Sequence, residues 1–172
     1  EVLDFWFGKI GARHWFSRSA EIDADIRDRF LALYERLVSS DAAGIDGPRP
    51  LRAAVIVLDQ FSRNMFRDTP RAFATDPLAR RLARQIIEKG FDSGLASEEG
   101  LFVYLPFEHS EDRDDQALSC ELIGRLGNDD WTQYALAHEA IIDRFGRFPH
   151  RNAALGRTST AEEIARLEAA QK

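Results

Sequence analysis

Residues 53–58, AAVIVL, run directly into DQFSRNMF, and Val55, Ile56, Val57 and Leu58 are apolar on every side of a helix. A helix that is apolar all round is a buried helix. Its neighbours must therefore enclose it nearly completely, which requires other elements with a matching apolar face. Segment 22–38 supplies one, with Ile22, Ile26, Phe30, Leu33 and Leu37 at helical spacing and charge elsewhere. It is expected to stop near Ser39 and Ser40, before the turn-forming DAAGIDGPRP, and the central helix to begin around Leu51.

Further helices follow from their end signals. Asp76 before Pro77 predicts an N-cap and first turn for a helix over 77–89, closed by Gly90, with Leu78, Leu82, Ile86 and Ile87 as its buried stripe. Ser97, Glu98 and Glu99 open a short helix that Pro106 interrupts. Ser110 is expected to cap the next one, with Glu111 and Asp112 in its first turn, reaching about Leu126 before Gly127. Asp129 or Asp130 caps a helix whose stripe is Trp131, Ala135, His138, Ile142 and Phe145, and Gly146 stops it. Ser159 with Glu162 and Thr160 with Glu163 both fit a capping box before a last surface helix. No segment alternates as a strand, and no phrase recurs at a fixed period. The prediction is an all-α fold of packed antiparallel helices, forming one domain over residues 1–172.

Several function classes lose support on composition and motif. The chain is 44% apolar and 30% charged, too apolar for whole-chain disorder. Cys120 is the single cysteine, so neither an intrachain disulfide nor a Cys-based zinc site can form, and a cytoplasmic location is expected. No apolar run approaches the roughly 20 residues of a membrane helix. The net charge of -6 disfavours nucleic acid, whose binding rests on phosphate neutralisation. Glu1 opens the sequence without a methionine, so a preceding segment is left open. There is no G-x-x-x-x-G-K-[ST] loop and no G-x-S-x-G elbow. HEAII carries Ile142 where an H-E-x-x-H zinc site needs its second histidine.

Three polar constellations remain. Asp59 and Arg63 stand at i, i+4 directly after the apolar run, with Gln60 and Asn64 on the adjacent strip. Polar groups entering a buried region must be paired, so they form either a structural network or the wall of a polar pocket. YLPFEHSEDRDDQ gathers carboxylates, of which Glu111, Asp112, Asp114 and Asp115 read as a solvated helix start, leaving Glu108 and His109 as the functional candidates. RFGRFPHRNAALGR holds Arg144, Arg147, His150, Arg151 and Arg157 with no acidic residue. Its guanidinium forks suit either internal carboxylates or a ligand carboxylate or phosphate. His138 reads as a core histidine bonded to a neighbour. Glu108, His109, His138 and His150 lack a diagnostic spacing for a metal, so neither a metal nor a cofactor is assigned.

LDQFSRNMFRDTPRAFATDPLA, FVYLPFEHSEDRDDQ and RFGRFPHRNAALGRTSTAEE, together with the opening VLDFWFG and the later Trp15–Phe16 pair, resemble the bacterial family called domain of unknown function 924 over almost the whole chain. The resemblance implies a compact tetratricopeptide-like superhelix of helical hairpins and brings no catalytic residue with it. The residues then point to a concave polar site for a small anionic molecule. Asp59, Arg63, Asn64, Glu108, Arg147, Arg151 and Asn152 are its binding candidates, His109 and His150 its acid–base candidates, and Phe107, Phe145 and Phe148 its apolar walls. The competing expectation is a noncatalytic tetratricopeptide-like module for a protein or peptide partner, with the same side chains locked in internal salt bridges. A third is an acidic structural domain with no pocket.

Overall fold

The computed structural model describes residues 1–170, and all regular structure among them is helical. The helices are α1 (Ala20–Ser39), α2 (Pro48–Ile56), α3 (Ser62–Met65), α4 (Asp76–Glu88), α5 (Ser97–Glu108), α6 (Arg113–Gly124), α7 (Asp129–Phe145) and α8 (Ala161–Ala169). The described residues group into two compact units, one of Glu1–Arg67 with Arg71–Pro106, the other of Asp68–Pro70 with the chain from Phe107 onward.

In the first unit the central apolar helix runs as expected, but it starts at Pro48 and changes pitch midway. α2 passes through π-helical turns over Val57–Phe61 before tightening again into α3. Every residue of the π stretch is buried, including Asp59 and Gln60. α4 packs on α2, while α1 packs on α3 and on the π turns. The opening VLDFWF, largely in its own π-helical segment Asp4–Ile10, completes the cover with aromatic rings. Phe5 meets Phe30 edge-on at 5.1 Å, and Trp6 meets Phe61 at 5.5 Å and Phe102 at 5.4 Å. Such pairs add about 0.5–1.5 kcal/mol each beyond the area they bury.

The caps correct several sequence expectations. Asp76 lies inside the first turn of α4 rather than capping it, because both its carboxylate oxygens accept from Arg63. α5 continues through Pro106 to Glu108 instead of breaking there. Proline removes one amide from the ladder, but the carbonyls at the end of α5 find another donor. Gln116 Nε2 donates to the carbonyls of Glu108 at 2.7 Å and Ser110 at 2.6 Å, and reaches that of Phe107 at 3.5 Å. α6 is capped by Asp112, which accepts from the amides of Asp114 and Asp115, and not by Ser110, whose hydroxyl donates to Asp115. Asn128, not Asp129 or Asp130, caps α7 by accepting from the Trp131 amide.

The expected reciprocal box of Thr160 with Glu163 forms at the start of α8. Ser19 caps α1 by accepting from the Ile22 amide. Gly146 ends α7 with φ 69, a left-handed conformation that costs a glycine little. α6 and α7, joined by residues 125–128, pack side by side in the second unit.

Candidate functional site

The polar end of the central helix belongs to the first unit. Arg63 lies 3.3 Å from the Asp59 carboxylate one turn back, donates to the Asp59 carbonyl at 2.6 Å, and clamps Asp76 with bonds of 2.9 and 3.0 Å. Gln60 donates to Asp59 at 2.6 Å, and Asn64 donates to Asp23 of α1 at 2.7 Å. Asp23 also receives Arg67. Asp59, Arg63 and Asn64 are thus each engaged by neighbouring side chains or carbonyls, tying the central helix to α1 and α4.

In the second unit the arginines of the basic loop reach carboxylates. Arg144 donates to Glu162, and Arg147 grips both oxygens of Glu163 at 2.7 and 2.9 Å while also reaching the Thr158 carbonyl. Glu163 is 2% exposed, and the Arg147 bond followed by the Thr160 amide pulls its pKa down to about 2. Asn152 donates to Ser159 and Glu163 and accepts from Arg157. Arg157 in turn clamps Glu111 with bonds of 2.7 and 2.9 Å, and Glu111 also accepts the Phe148 amide. Burial opposes ionisation of Glu111, but these Arg157 and Phe148 bonds and the Arg157 charge outweigh it, so its pKa is lowered. Glu111 and the buried Asp115 therefore depart from the expected solvated helix start: each lies against a specific donor. Arg147 and Asn152, candidates for a ligand, both converge on Glu163.

Another group gathers imidazoles. Glu108, at the last turn of α5, is 5% exposed and places Oε1 3.2 Å from Nδ1 of His138 on α7. The same Nδ1 lies 2.8 Å from the Tyr134 carbonyl. Burial lowers the His138 pKa; the Tyr134 bond opposes this, and the positive fields of His109 and Arg151 reinforce it. The ring is therefore neutral near neutral pH, and its contact with Glu108 is not an ion pair. The Tyr134 carbonyl can only accept, so Nδ1 carries the proton and Nε2 the lone pair. Arg151 is buried, lies over the Phe148 ring at 4.6 Å, and donates to the His109 carbonyl at 2.9 Å. Phe148 sits between His138 and His150, with both centroid distances 5.5 Å. His109 is half-buried and His150 exposed.

Cys120 borders this group without offering a nucleophile. Burial, then the charge of and a hydrogen bond to Glu139, then the charge of Glu108, push its thiol up to about 12. It stays protonated at any physiological pH. Among the described residues no three His, Cys, Asp or Glu side chains assemble as ligands for a metal ion.

His138 is the residue whose weight the sequence understates. Its i−4 partner is a backbone carbonyl, which no side-chain pattern reveals, and its carboxylate contact comes from another helix. The clamps of Asp76 and Glu163 were equally hidden, since each joins residues 13 or more apart.

A family model described as "Bacterial protein of unknown function (DUF924)" matches residues 2–171. The chain is similar to a solved structure, a protein of unknown function, ATU0120, from Agrobacterium tumefaciens, at 40% sequence identity and a TM-score of 0.91, covering 97% of this chain and 94% of that one. No curated protein matches the chain. No helix among the described residues is long and apolar enough to cross a membrane.

Proposed function

Since the chain belongs to the DUF924 family of bacterial proteins of unknown function, whose description carries no reaction, we propose a function from the side chains themselves: the second unit binds a small anionic molecule beside Arg151 and His109, and His138 exchanges a proton with it. One observation carries this reading. His138 is a half-buried imidazole kept neutral, with Nδ1 anchored to the Tyr134 carbonyl and Glu108, and with positive charge alongside. An anchored neutral ring with a bare Nε2 is poised as a general base, and a neighbouring guanidinium and imidazole favour an anion there. Glu108 orients His138 and stabilises the imidazolium that forms, the role of a carboxylate behind a catalytic histidine. Arg147, Asn152, Asp59, Arg63 and Asn64 act as scaffold in this proposal, because neighbouring groups hold each of them. His150, exposed beside Phe148, remains at the rim as a second acid–base group.

The test is histidine-ring NMR across about pH 5 to 8, with and without inorganic phosphate or malonate. A bound anion stabilises the imidazolium, so the His138 pKa rises on saturation, and Glu108→Gln lowers it in the free protein. A His138 titration curve that neither anion moves overturns the proposal.

A second reading, a noncatalytic module for a protein or peptide partner, rests on α7. Tyr134 and Leu136 are 67% and 42% exposed there, large apolar groups in water on a helix whose other face is packed on α6. It predicts that His138 variants leave function untouched while Tyr134→Ala removes it.

A further inference from the structure

The outward side of α7 departs from the charged solvent face that a surface helix ordinarily shows. α1 and α4 do show one, with Arg27, Asp28, Arg81 and Arg84 exposed. α7 buries Ala135 and Ile142 and packs on α6. Away from these a stripe runs at helical spacing through Asp130, Tyr134, Ala137, Ile141 and Arg144, and only Ile141 among them is half-buried. Between the charged ends the exposed residues are Gln133, Tyr134, Leu136, Ala137 and Ala140, none of them charged. Tyr134 and Leu136 are the large groups held in water there.

The two ends of the stripe carry opposite charge. Asp130 stands in the first turn of α7 and Arg144 in the last, about 21 Å apart along the axis. Asp130 is exposed and makes no ion pair among the described residues. Arg144 turns two donors onto a single oxygen of Glu162, in a pair whose side chains are 58% and 59% exposed. Such a pair contributes little, and the guanidinium has further donors to offer.

We propose that this face binds a second copy of the chain, α7 lying antiparallel on α7 about a two-fold axis at Ala137. A two-fold contact uses the same patch on both copies and brings level the residues equally far before and after the axis. Asp130 then meets Arg144 of the second copy at both ends. Tyr134 and Gln133 come level with Ala140 and Ile141, which give the ring room and apolar surface. Ala137 meets itself, and its small side chain lets the backbones approach. A parallel pairing instead sets Asp130 on Asp130, Arg144 on Arg144 and the helix dipoles side by side. The pattern thus complements itself, reversing in sign and in size about one residue, which an unrelated partner does not require. The pairing also reaches His138, one turn beyond Tyr134 on the same flank. Tyr134 of the second copy arrives about 3 Å further along the axis, adding a phenol hydroxyl to the rim of the His138 group. The interface itself does not depend on the role proposed for that histidine.

One helix pair is small for an interface, so the dimer should be weak, with a dissociation constant of about 10–500 µM in sedimentation equilibrium of the full chain. Ala137 is exposed, so Ala137→Glu should keep wild-type circular dichroism while setting two carboxylates on the axis and abolishing the dimer. Asp130→Arg should weaken it about fivefold, and adding Arg144→Asp should restore it. Cysteine replacements read the orientation, with the wild type and its half-buried Cys120 as control. Ala137→Cys should link to itself under mild oxidation, because only at the axis does a position meet its own copy within reach of a disulfide. Gln133→Cys should not, yet should link to Ala140→Cys when the two are mixed. A chain still monomeric at about 1 mM overturns the proposal and leaves the face to the protein or peptide partner of the second reading, so the two fail separately. A dimer that Ala137→Glu leaves intact, or Gln133→Cys linking to itself as readily as Ala137→Cys, overturns it as well.

Discussion

Gln116→Leu is the substitution through which the link between fold and site is most directly measured. Gln116 is fully buried, and its Nε2 donates to the carbonyls of Glu108 and Ser110 at 2.7 and 2.6 Å. The contact to the Phe107 carbonyl, at 3.5 Å, is too long to count for much. Its Oε1 has no hydrogen-bond partner among the described residues. Leucine has nearly the same volume and no polar atom. It leaves two buried carbonyls without their donor, at about 1–3 kcal/mol each, and removes one unsatisfied oxygen worth a similar amount in the opposite direction. The net loss is about 2 kcal/mol. Gln116→Ala leaves the same carbonyls and adds a cavity, so it should be less stable still. Urea unfolding followed by circular dichroism gives the difference from the midpoint at constant slope. Because Glu108 stands on the turn that Gln116 holds, the His138 ring signal should shift in the same variant. A Gln116→Leu protein within about 0.5 kcal/mol of wild type would refute the argument that this amide sustains the end of α5.

Breaking the Arg63–Asp76 clamp with Asp76→Asn should cost about 2–4 kcal/mol, below the full penalty for a buried pair because Arg63 is 20% exposed, and urea unfolding checks it. His138 has a lowered pKa in the folded chain, so the unfolded chain binds the proton first; stability should be complete above the ordinary 6.5 and fall as pH drops below it through the folded value, and His138→Gln should flatten that part of the profile. Glu163, held at about 2, contributes stability that is present above its ordinary 4.5 and lost as pH falls towards 2; Glu163→Gln should remove that acid-sensitive component, measurable as the midpoint shift between pH 6 and pH 3. At equal pH a thiol at about 12 has roughly a thousandth of the thiolate of one at its ordinary 9.0, and the greater nucleophilicity of the more basic thiolate recovers somewhat under half of that on a logarithmic scale, so native Cys120 should react with a disulfide reagent some tens of times more slowly than the unfolded chain.

What the sequence discloses is mainly local. The Thr160–Glu163 box is visible because its partners are three residues apart, and the stripe of α1 because Ile26, Phe30 and Leu37 repeat with the helix. Adjacent Asn128, Asp129 and Asp130 can all cap a helix, so composition leaves the register open and packing decides it. Pro106 reads as a breaker until the side chain of Gln116 is known to wait beyond it. The basic loop was legible as a place where guanidinium groups need partners. Its partners, Glu111, Glu162 and Glu163, lie in segments that only the tertiary fold brings near. The pairing of Glu108 with His138 is of the same kind, a meeting of two helices with no trace in spacing.

The widened turns over Val57–Phe61 are where the central helix absorbs an extra residue. An i→i+5 turn winds fewer degrees per residue than the roughly 100° of an α-helix, so the lag over the stretch is about one residue's worth. A one-residue deletion there that lets the chain wind as an uninterrupted α-helix should therefore leave Arg63 facing Asp76 and Asn64 facing Asp23. The same deletion within the regular winding of α4, which has no such slack, should turn everything beyond it by about 100° and be far more damaging.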